Sequence, residues 1–146
     1  MSADGDRLAD RDALRELRAK YSHYWDDSRA EDFVGLFTED CAFQMATQGM
    51  VEGREALQVA VAGAMDRVGF SIHFTSDEVS EFTGEDTAIG YCRFAFHGGG
   101  TPNIEGAGTY HDEYRKTPQG WRFTRRTQSF FYMGPRDGVW PAMPEV

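Results

Sequence analysis

The first regular pattern along the chain is a stripe of apolar residues spaced three or four positions apart, as on one face of an α-helix. Its members are Leu14, Leu17, Tyr21, Tyr24 and Trp25. Asp10 and Asp12 both suit the N-cap position, so the helix is predicted to begin at one of them, after a mobile leader of residues 1 to about 9. It is predicted to end near Trp25.

Two further helices and a set of long strands follow. The shorter helix covers about 31–37 and the longer one about 54–67, with an extended run from Cys41 to Ala46 between them. Beyond Gly69, segments at about 70–82, 86–97, 104–116 and 120–132 are separated by turns rich in Gly, Asp and Pro, which predicts an antiparallel meander. Strands longer than the usual length of about five or six residues favour a strongly curved sheet with bulges.

This order of elements predicts a single α+β domain over residues 1–146, with three N-terminal helices packed on a strongly curved, mainly antiparallel sheet. The tail, residues 134–146, contains Trp140 and several prolines and is predicted to be irregular. Because the helices must cover one face of the sheet, a small molecule is expected to bind in a pocket between helix and sheet.

Composition narrows the possible functions more than it narrows the fold. A net charge of −9 argues against a surface for nucleic acid or anionic membranes, because both need concentrated Lys and Arg. Aromatic residues make up 14% of the chain, which indicates either an aromatic-rich core or a pocket lined with rings. No apolar run approaches the ~20 residues of a membrane span, and the acidic N-terminus lacks a signal-peptide core.

Cysteine usage agrees with a reducing compartment. Cys41 and Cys92 are far apart in sequence and have no metal-type spacing, so two buried free thiols are predicted. Together with the absence of targeting patterns, this predicts a cytoplasmic protein.

Two polar features contrast with their local surroundings. His73 lies in Phe70–Thr75, an otherwise apolar and small-polar run with strand character. Asp26 and Asp27 follow the first helix directly, although acidic side chains oppose the helix dipole at a C-terminus. A functional site accounts for both features. A structural histidine and solvated carboxylates at a frayed helix end are the alternative.

Several short segments, in their order and spacing, resemble the SnoaL-like branch of the NTF2-like superfamily over about residues 10–133. They are Tyr21–Asp26, Leu36–Cys41, Gly53–Leu57, Gly84–Ala88, Gly108–Tyr114 and Gly120–Phe123, with His73 and Arg126 between and after them. The resemblance implies a cone-shaped α+β barrel. The superfamily includes dehydratases, dehydrohalogenases, isomerases, polyketide cyclases, epoxide hydrolases and proteins without catalysis, so the fold does not carry one reaction.

The resemblance also implies a catalytic set. Scytalone dehydratases and hexachlorocyclohexane dehydrochlorinases pair an Asp at the end of the first helix with a His on the first long strand. The matching positions here are Asp26 and His73. The dehydrochlorinases add an Arg near the end of the last strand, matched by Arg126, although the parity of a bulged strand leaves open whether Arg125 or Arg126 points inward.

Some positions depart from these patterns. The dehydrochlorinase Lys one turn before the Asp is replaced by Tyr21, and the scytalone-type Tyr just before the Asp is replaced by Trp25. The scytalone-type second His falls one place from His97, and its Ser/Asn pair falls at Gly108 and Tyr110. A scytalone substrate is therefore disfavoured, and the dehydrochlorinase reaction does not follow directly.

Strand alternation and the resemblance together predict the pocket walls. Phe94 and Phe96 share one face of their strand, and Gly108, Tyr110 and Asp112 share one face of the next. Gly108 is expected to leave room beside Tyr110 for a substrate ring. The predicted substrate-binding residues are Tyr21, Trp25, Phe43, Phe94, Phe96 and Tyr110. The alternative for Phe94 and Phe96 is an ordinary place in the core.

These residues predict a lyase-type enzyme without metal or organic cofactor, performing dehydration or a related elimination on a small hydrophobic cyclic or aromatic molecule. A neutral imidazole is a suitable base near pH 7, the Asp26 carboxylate would orient it, and Arg126 would stabilise a departing anion or an enolate-like oxygen. The alternatives are an isomerase or cyclase using the same base, or a non-catalytic ligand-binding or assembly domain. A homo-oligomer, dimer or trimer, is expected from the long outer sheet face and the Trp140 tail.

Overall fold

The computed structural model describes residues 3–99 and 103–135. Within them the chain forms three helices and six strands, in the order α1 Ala3–Asp26, α2 Ala30–Val34, β1 Phe37–Met45, β2 Gly49–Glu52, α3 Arg54–Val68, β3 Phe70–Phe82, β4 Thr87–Gly99, β5 Ile104–Thr117 and β6 Gly120–Pro135. The six strands make one sheet in the order β2-β1-β6-β5-β4-β3. Only the described β1–β6 pair is parallel, so the predicted α+β architecture with a mainly antiparallel sheet is confirmed.

The predicted start of the first helix is wrong, because α1 already begins at Ala3 and covers most of the expected leader. Contacts distant in sequence stabilise this extension. The Arg7 guanidinium donates a hydrogen bond of 2.9 Å to the carbonyl of Gly84 and lies 4.3 Å from the centre of the Phe82 ring. Asp10 does not cap the helix, since its carboxylate accepts a 2.8 Å hydrogen bond from the Trp121 indole.

Two other predicted boundaries also change. The second helix ends at Val34 and not at Phe37, because Phe37 begins β1 and pairs with Phe123 of β6. At the other end, residues 134 and 135 are still strand, since Gly134 and Pro135 pair with β5. The remainder of the predicted irregular tail, 136–146 with Trp140, lies outside the described residues.

Irregularities in the strands curve the sheet around its inner face. The β3–β4 register shifts between Ser76 and Val79, where Asp77 has a φ of 55°. The β5–β6 register shifts twice, once between Ala107 and Gly108. Such bulges bend and twist a strand, which lets the long strands wrap around the helices.

The core lies between the helices and the concave face of the sheet, and it is rich in rings. Phe33, Phe37 and Phe123 are completely buried, and Leu14 of α1 packs with them. Alternation along β3 turns Ser71 and His73 toward this interior and leaves Phe70, Ile72 and Phe74 exposed on the outer face. Among the described residues no helix is long and apolar enough to cross a membrane.

The two cysteines behave as the sequence predicts. Cys41 and Cys92 are buried free thiols in the core. Burial raises the pKa of the Cys92 thiol to about 11, because the thiolate would lose its hydration inside the protein.

Candidate active site

The end of α1 brings Asp26 to the beginning of β3. The Ser28 N–H donates to the Trp25 carbonyl, the Arg29 N–H donates to the Tyr24 carbonyl, and Ser28 has a φ of 56°. These features form a Schellman motif, which stops the helix directly after Asp26. The Asp26 side chain can therefore turn away from the apolar stripe of α1 and reach the sheet.

Asp26 and His73 are hydrogen-bonded side chain to side chain. Nδ1 of His73 lies 2.6 Å from Oδ1 of Asp26, and the backbone N–H of His73 donates a 2.8 Å hydrogen bond to Oδ2. Ser71 Oγ donates a third hydrogen bond, of 3.0 Å, to Oδ1. Three donors thus hold a carboxylate that the helix dipole alone would disfavour at this position.

This geometry selects one tautomer of the His73 ring. A carboxylate only accepts hydrogen bonds, so Nδ1 carries the proton that it donates to Asp26. Nε2 then has a free lone pair, and no hydrogen bond from a described residue occupies it. The side chains of His73 and Asp26 are 11% and 16% exposed, so the pair is shielded but reachable from solvent.

Aromatic rings surround the His73 imidazole. Phe96 stacks on it with centroids 5.5 Å apart and an interplanar angle of 20°, and Trp25 meets it edge-on at 6.2 Å. Phe94 lies next to Phe96, and Phe130 packs perpendicular to Phe94 at 5.5 Å. The free nitrogen is therefore placed in surroundings dominated by apolar rings.

The other predicted binding residues lie deeper in the core. Tyr110 stacks on Phe94 at 4.2 Å, and Tyr21 packs edge-on against Tyr110 at 5.5 Å. Phe43 contacts Tyr21 at 6.1 Å. Tyr21, Phe43 and Tyr110 are each at most 3% exposed, and Phe94 is 4% exposed. Of the predicted set, Trp25 and Phe96 are the partly buried rings that contact His73, and the other four lie in the core behind them.

Gly108 does not leave the space that was expected beside Tyr110. A Cβ at this position would collide with the carbonyl oxygen of Ser129 and lie 3.0 Å from the Phe94 ring. The glycine instead permits close approach of β5 and β6 at their bulge, so the expectation of a substrate ring there is wrong.

Arg126 is completely buried, whereas Arg125 is exposed. The Arg126 guanidinium donates two hydrogen bonds, of 2.6 and 2.8 Å, to the carboxylate of Asp112. The rings of Tyr110 and Tyr21 lie over it, with centroids 4.0 and 4.2 Å away. Its Nη1 has no hydrogen-bond partner within 3.5 Å among the described residues. The Tyr21 hydroxyl lies close to the Arg126 guanidinium. Burial raises the pKa of Tyr21, and the positive charge of Arg126 acts against this larger effect.

Asp112 joins Arg126 to a second arginine through a tyrosine. The Tyr114 hydroxyl donates a 2.7 Å hydrogen bond to Asp112, and Arg18 donates a 3.1 Å hydrogen bond to that hydroxyl. Arg18 is 4% exposed. One buried carboxylate thus stands near two buried cations.

Sequence reasoning gave no role to Ser71 or Phe130, and it placed Asp112 on the face of Tyr110 without assigning it a partner. Ser71 could have been found, because it lies two residues before His73 and so shares its strand face. The Asp112–Arg126 pair lies between the two register shifts of β5–β6, which the residue pattern does not reveal. Among the described residues no group of three or more His, Cys, Asp or Glu side chains is arranged to hold a metal ion.

The fold defines the class of this protein as an NTF2-like α+β cone, with helices against the concave face of a curved six-stranded sheet. The chain belongs to the SnoaL-like domain family, whose model matches residues 6–127. The resemblance inferred from the sequence is thereby confirmed. No curated protein matches the sequence.

Solved structures with the same fold include dehydrochlorinases. LinA superposes with a TM-score of 0.85 at 23% identity over 98% of this chain and 100% of LinA. The hexachlorocyclohexane dehydrochlorinase LinA-type3 from Novosphingobium barchaimii LL02 gives 0.83 at 23% identity, over 97% and 100% of the two chains. A candidate scytalone dehydratase from Novosphingobium aromaticivorans gives 0.81 at 22% identity, over 91% of each chain. Such identities establish the fold alone, so a reaction must be argued from the site.

Proposed function

We propose that this protein is a cofactor-free lyase-type enzyme in which His73 is the base. The 2.6 Å contact between His73 Nδ1 and Asp26 Oδ1 carries the proposal, because it leaves Nε2 as a free acceptor for a proton. A positioned general base of this kind contributes about 10²–10⁴-fold to a rate. The proposed reaction is a dehydration or a related elimination.

The proposed elimination needs no oxidant or reductant. Nε2 removes a proton from carbon, the electrons of the C–H bond form the new double bond, and the leaving group departs with the electrons of its own bond. Asp26 stabilises the imidazolium that forms. The Ser71 hydroxyl and the backbone N–H of His73 donate hydrogen bonds that keep the Asp26 carboxylate in place. The imidazolium then returns its proton to the departing group or to solvent.

The proposed substrate is a small hydrophobic cyclic or aromatic molecule. Trp25 and Phe96 flank the imidazole, with Phe94 next along the wall, so an apolar ring could pack against them without leaving polar groups unpaired. Tyr21, Phe43 and Tyr110 support this wall from behind.

Arg126 is assigned an electrostatic part in this proposal. Its charge lies behind Tyr21 and Tyr110, in surroundings that screen it less than water does, and it favours negative charge on the substrate side. Because Asp112 takes two of its donors, its contribution is expected to be smaller than that of His73.

Isomerisation or cyclisation is the second candidate, because a single base with one free nitrogen can return the proton it removed. Both reactions need the dyad, and they differ in their products. Solvent deuterium in the product without loss of water or halide would favour the second candidate.

The test is turnover of a panel of small cyclic alcohols, halides and ketones, followed by mass spectrometry in H₂O and D₂O. His73→Ala and Asp26→Asn should each lose about 10²-fold or more of the activity, with circular dichroism unchanged. His111→Ala, which changes an exposed histidine on β5, is the matched control. Full activity in His73→Ala would reject the assignment, and binding without turnover by the unaltered protein would indicate a ligand-binding domain.

A further inference from the structure

A polar cavity lies at the opposite end of the sheet from the Asp26–His73 pair. Its volume is about 600 Å³, and Thr38, Asp40, Arg54, Arg115, Thr117 and Arg122 are among its lining residues. Arg115 and Arg122 face each other near the β5–β6 turn, whereas His73 pairs with Phe96 near the far end of β4. The lining of this cavity therefore includes neither Asp26 nor His73, nor any ring that contacts His73.

Two of the three arginines in this cavity lack a carboxylate partner. Arg115 is paired with Asp40 at 2.6 Å. For Arg54 and Arg122, no carboxylate of a described side chain lies within ion-pairing distance. Glu39, the other acidic lining residue, is exposed. The lining thus has three arginines against two carboxylates, which leaves an excess of positive charge at this cavity of an acidic protein.

The two uncompensated arginines also affect each other. Burial lowers the pKa of the half-buried Arg122, and the charge of Arg54 lowers it further. Both guanidinium groups are held in place by the backbone, because Arg54 donates to the Phe37 carbonyl and Arg122 Nη1 donates to the Trp121 carbonyl at 2.8 Å. Neighbouring like charges fixed in this way are stabilised when an anion lies between them.

Hydrogen-bond donors in the cavity are unsatisfied as well. Nε of Arg54 and Oγ1 of Thr38 are buried and have no hydrogen-bond partner within 3.5 Å among the described residues. Arg115 has the larger effect in lowering the pKa of Asp40, but the Thr38 hydroxyl still lies close enough to that carboxylate to help lower it. Thr38 as a whole is only 4% exposed. Buried polar groups are nearly always hydrogen-bonded in proteins, so two such groups beside the same cavity indicate a missing acceptor.

We propose that this cavity binds the oxyanion group of a small molecule, through the guanidinium groups of Arg54 and Arg122 and the hydroxyl of Thr38. Phosphate and carboxylate groups share the needed chemistry, since both present negatively charged oxygens in the geometry that a guanidinium prefers. The volume exceeds that of a bare ion, so the site has room for the body of the molecule that carries the anion. The proposal is independent of the reaction assigned to His73.

The test is a titration of the labelled protein with sodium phosphate, and separately with sodium acetate, at constant ionic strength, followed by amide NMR. Saturable shifts around Thr38 and Arg122, with a Kd of about 1 mM or tighter for at least one of the two anions, are expected. Saturation by only one of the two anions shows whether the site prefers a phosphate or a carboxylate group. Shifts that stay linear, or that chloride reproduces, would overturn the proposal.

Variants separate specific binding from general charge attraction. Arg122→Gln should weaken binding at least tenfold, and Thr38→Val should weaken it with little change in shape. Arg125→Gln removes the same charge from an exposed position three residues along β6 and should bind as the unaltered protein does. Equal losses in Arg122→Gln and Arg125→Gln would reject the site. His73→Ala should bind the anion normally, which keeps this result separate from the proposed catalysis.

Discussion

Ser71 and His73 hydrogen-bond the same oxygen of Asp26, at 3.0 and 2.6 Å respectively. They can do so because alternate residues of β3 point to the same side of the sheet. The carboxylate is thereby fixed by one strand in two places, and its orientation toward the imidazole does not depend on α1 alone.

Removal of the Ser71 hydroxyl should therefore reduce activity without unfolding the protein. Hydrogen bonds to a charged group contribute about 1.5–3 kcal/mol, which corresponds to a loss of about 10- to 100-fold in kcat/KM for Ser71→Ala. Ser71→Thr keeps the donor and should recover most of the loss. Ser76→Ala, at an exposed position on the same strand, serves as control, and an equal effect there would contradict a role specific to Ser71.

Asp112 is expected to be the most important charged residue for stability. Asp112→Asn leaves Arg126 buried with an uncompensated charge, which should lower the free energy of unfolding by about 3–5 kcal/mol. Urea unfolding measures this change. The exposed pair Asp40–Arg115 offers the contrast, since Asp40→Asn should cost less than about 1 kcal/mol. Similar losses in the two variants would show that the buried pair is not special.

Asp10 should make stability depend on acidity. Burial acts to raise its pKa, but hydrogen bonds from Trp121 and Lys116 outweigh burial, and the pKa lies below its ordinary value. Because the carboxyl binds its proton more weakly in the folded state, its contribution is present above the unfolded pKa of about 4 and is lost as the pH falls through the lower folded value. Thermal unfolding from pH 7 to pH 2 should show a smaller acid loss in Asp10→Asn. Parallel curves for both proteins would contradict this role.

We propose that the outer face of β3 mediates self-association. Phe70 and Phe74 are 66% and 57% exposed, and Ile72 lies between them on the same face. Apolar rings in such a row are typical of contact surfaces between subunits. Phe74→Lys should shift a dimer or trimer to monomer in analytical ultracentrifugation. Val59→Lys, at an exposed position on α3, should leave the assembly intact, and a monomeric unaltered protein would refute the proposal.

The four long strands β3 to β6 were the most predictable part of the fold, because their starts depend on local turn chemistry. The short strand β2 was not predicted, and β1 begins at Phe37 and not at Cys41. β3 spans the residues that the sequence predicts, and β5 and β6 begin where expected. The first helix was less predictable, since its extension to Ala3 is supported by contacts of Arg7 with residues more than 70 positions away. Local propensity contains no information about such contacts.

The candidate site divides in a similar way. The pairing of Asp26 with His73 followed from the family resemblance, because no periodicity brings together residues 47 positions apart. The ionic partner of Arg126 depended on strand register, which bulges change without a clear mark in the sequence. The depth of Tyr21, Phe43 and Tyr110 depended on how the rings pack together, a property of the whole core.

The attachment of α1 at two points has a consequence for how this protein can evolve and be engineered. Asp10 joins the first half of the helix to Trp121, and Asp26 joins its end to β3. The Asp26 side chain, which orients the proposed base, thus also holds the end of α1 against the concave face of the sheet. A change at Asp26 should therefore alter proton transfer and the access of water to the interior at the same time. A substitution there cannot change the proposed catalysis without also changing how the helix covers the sheet.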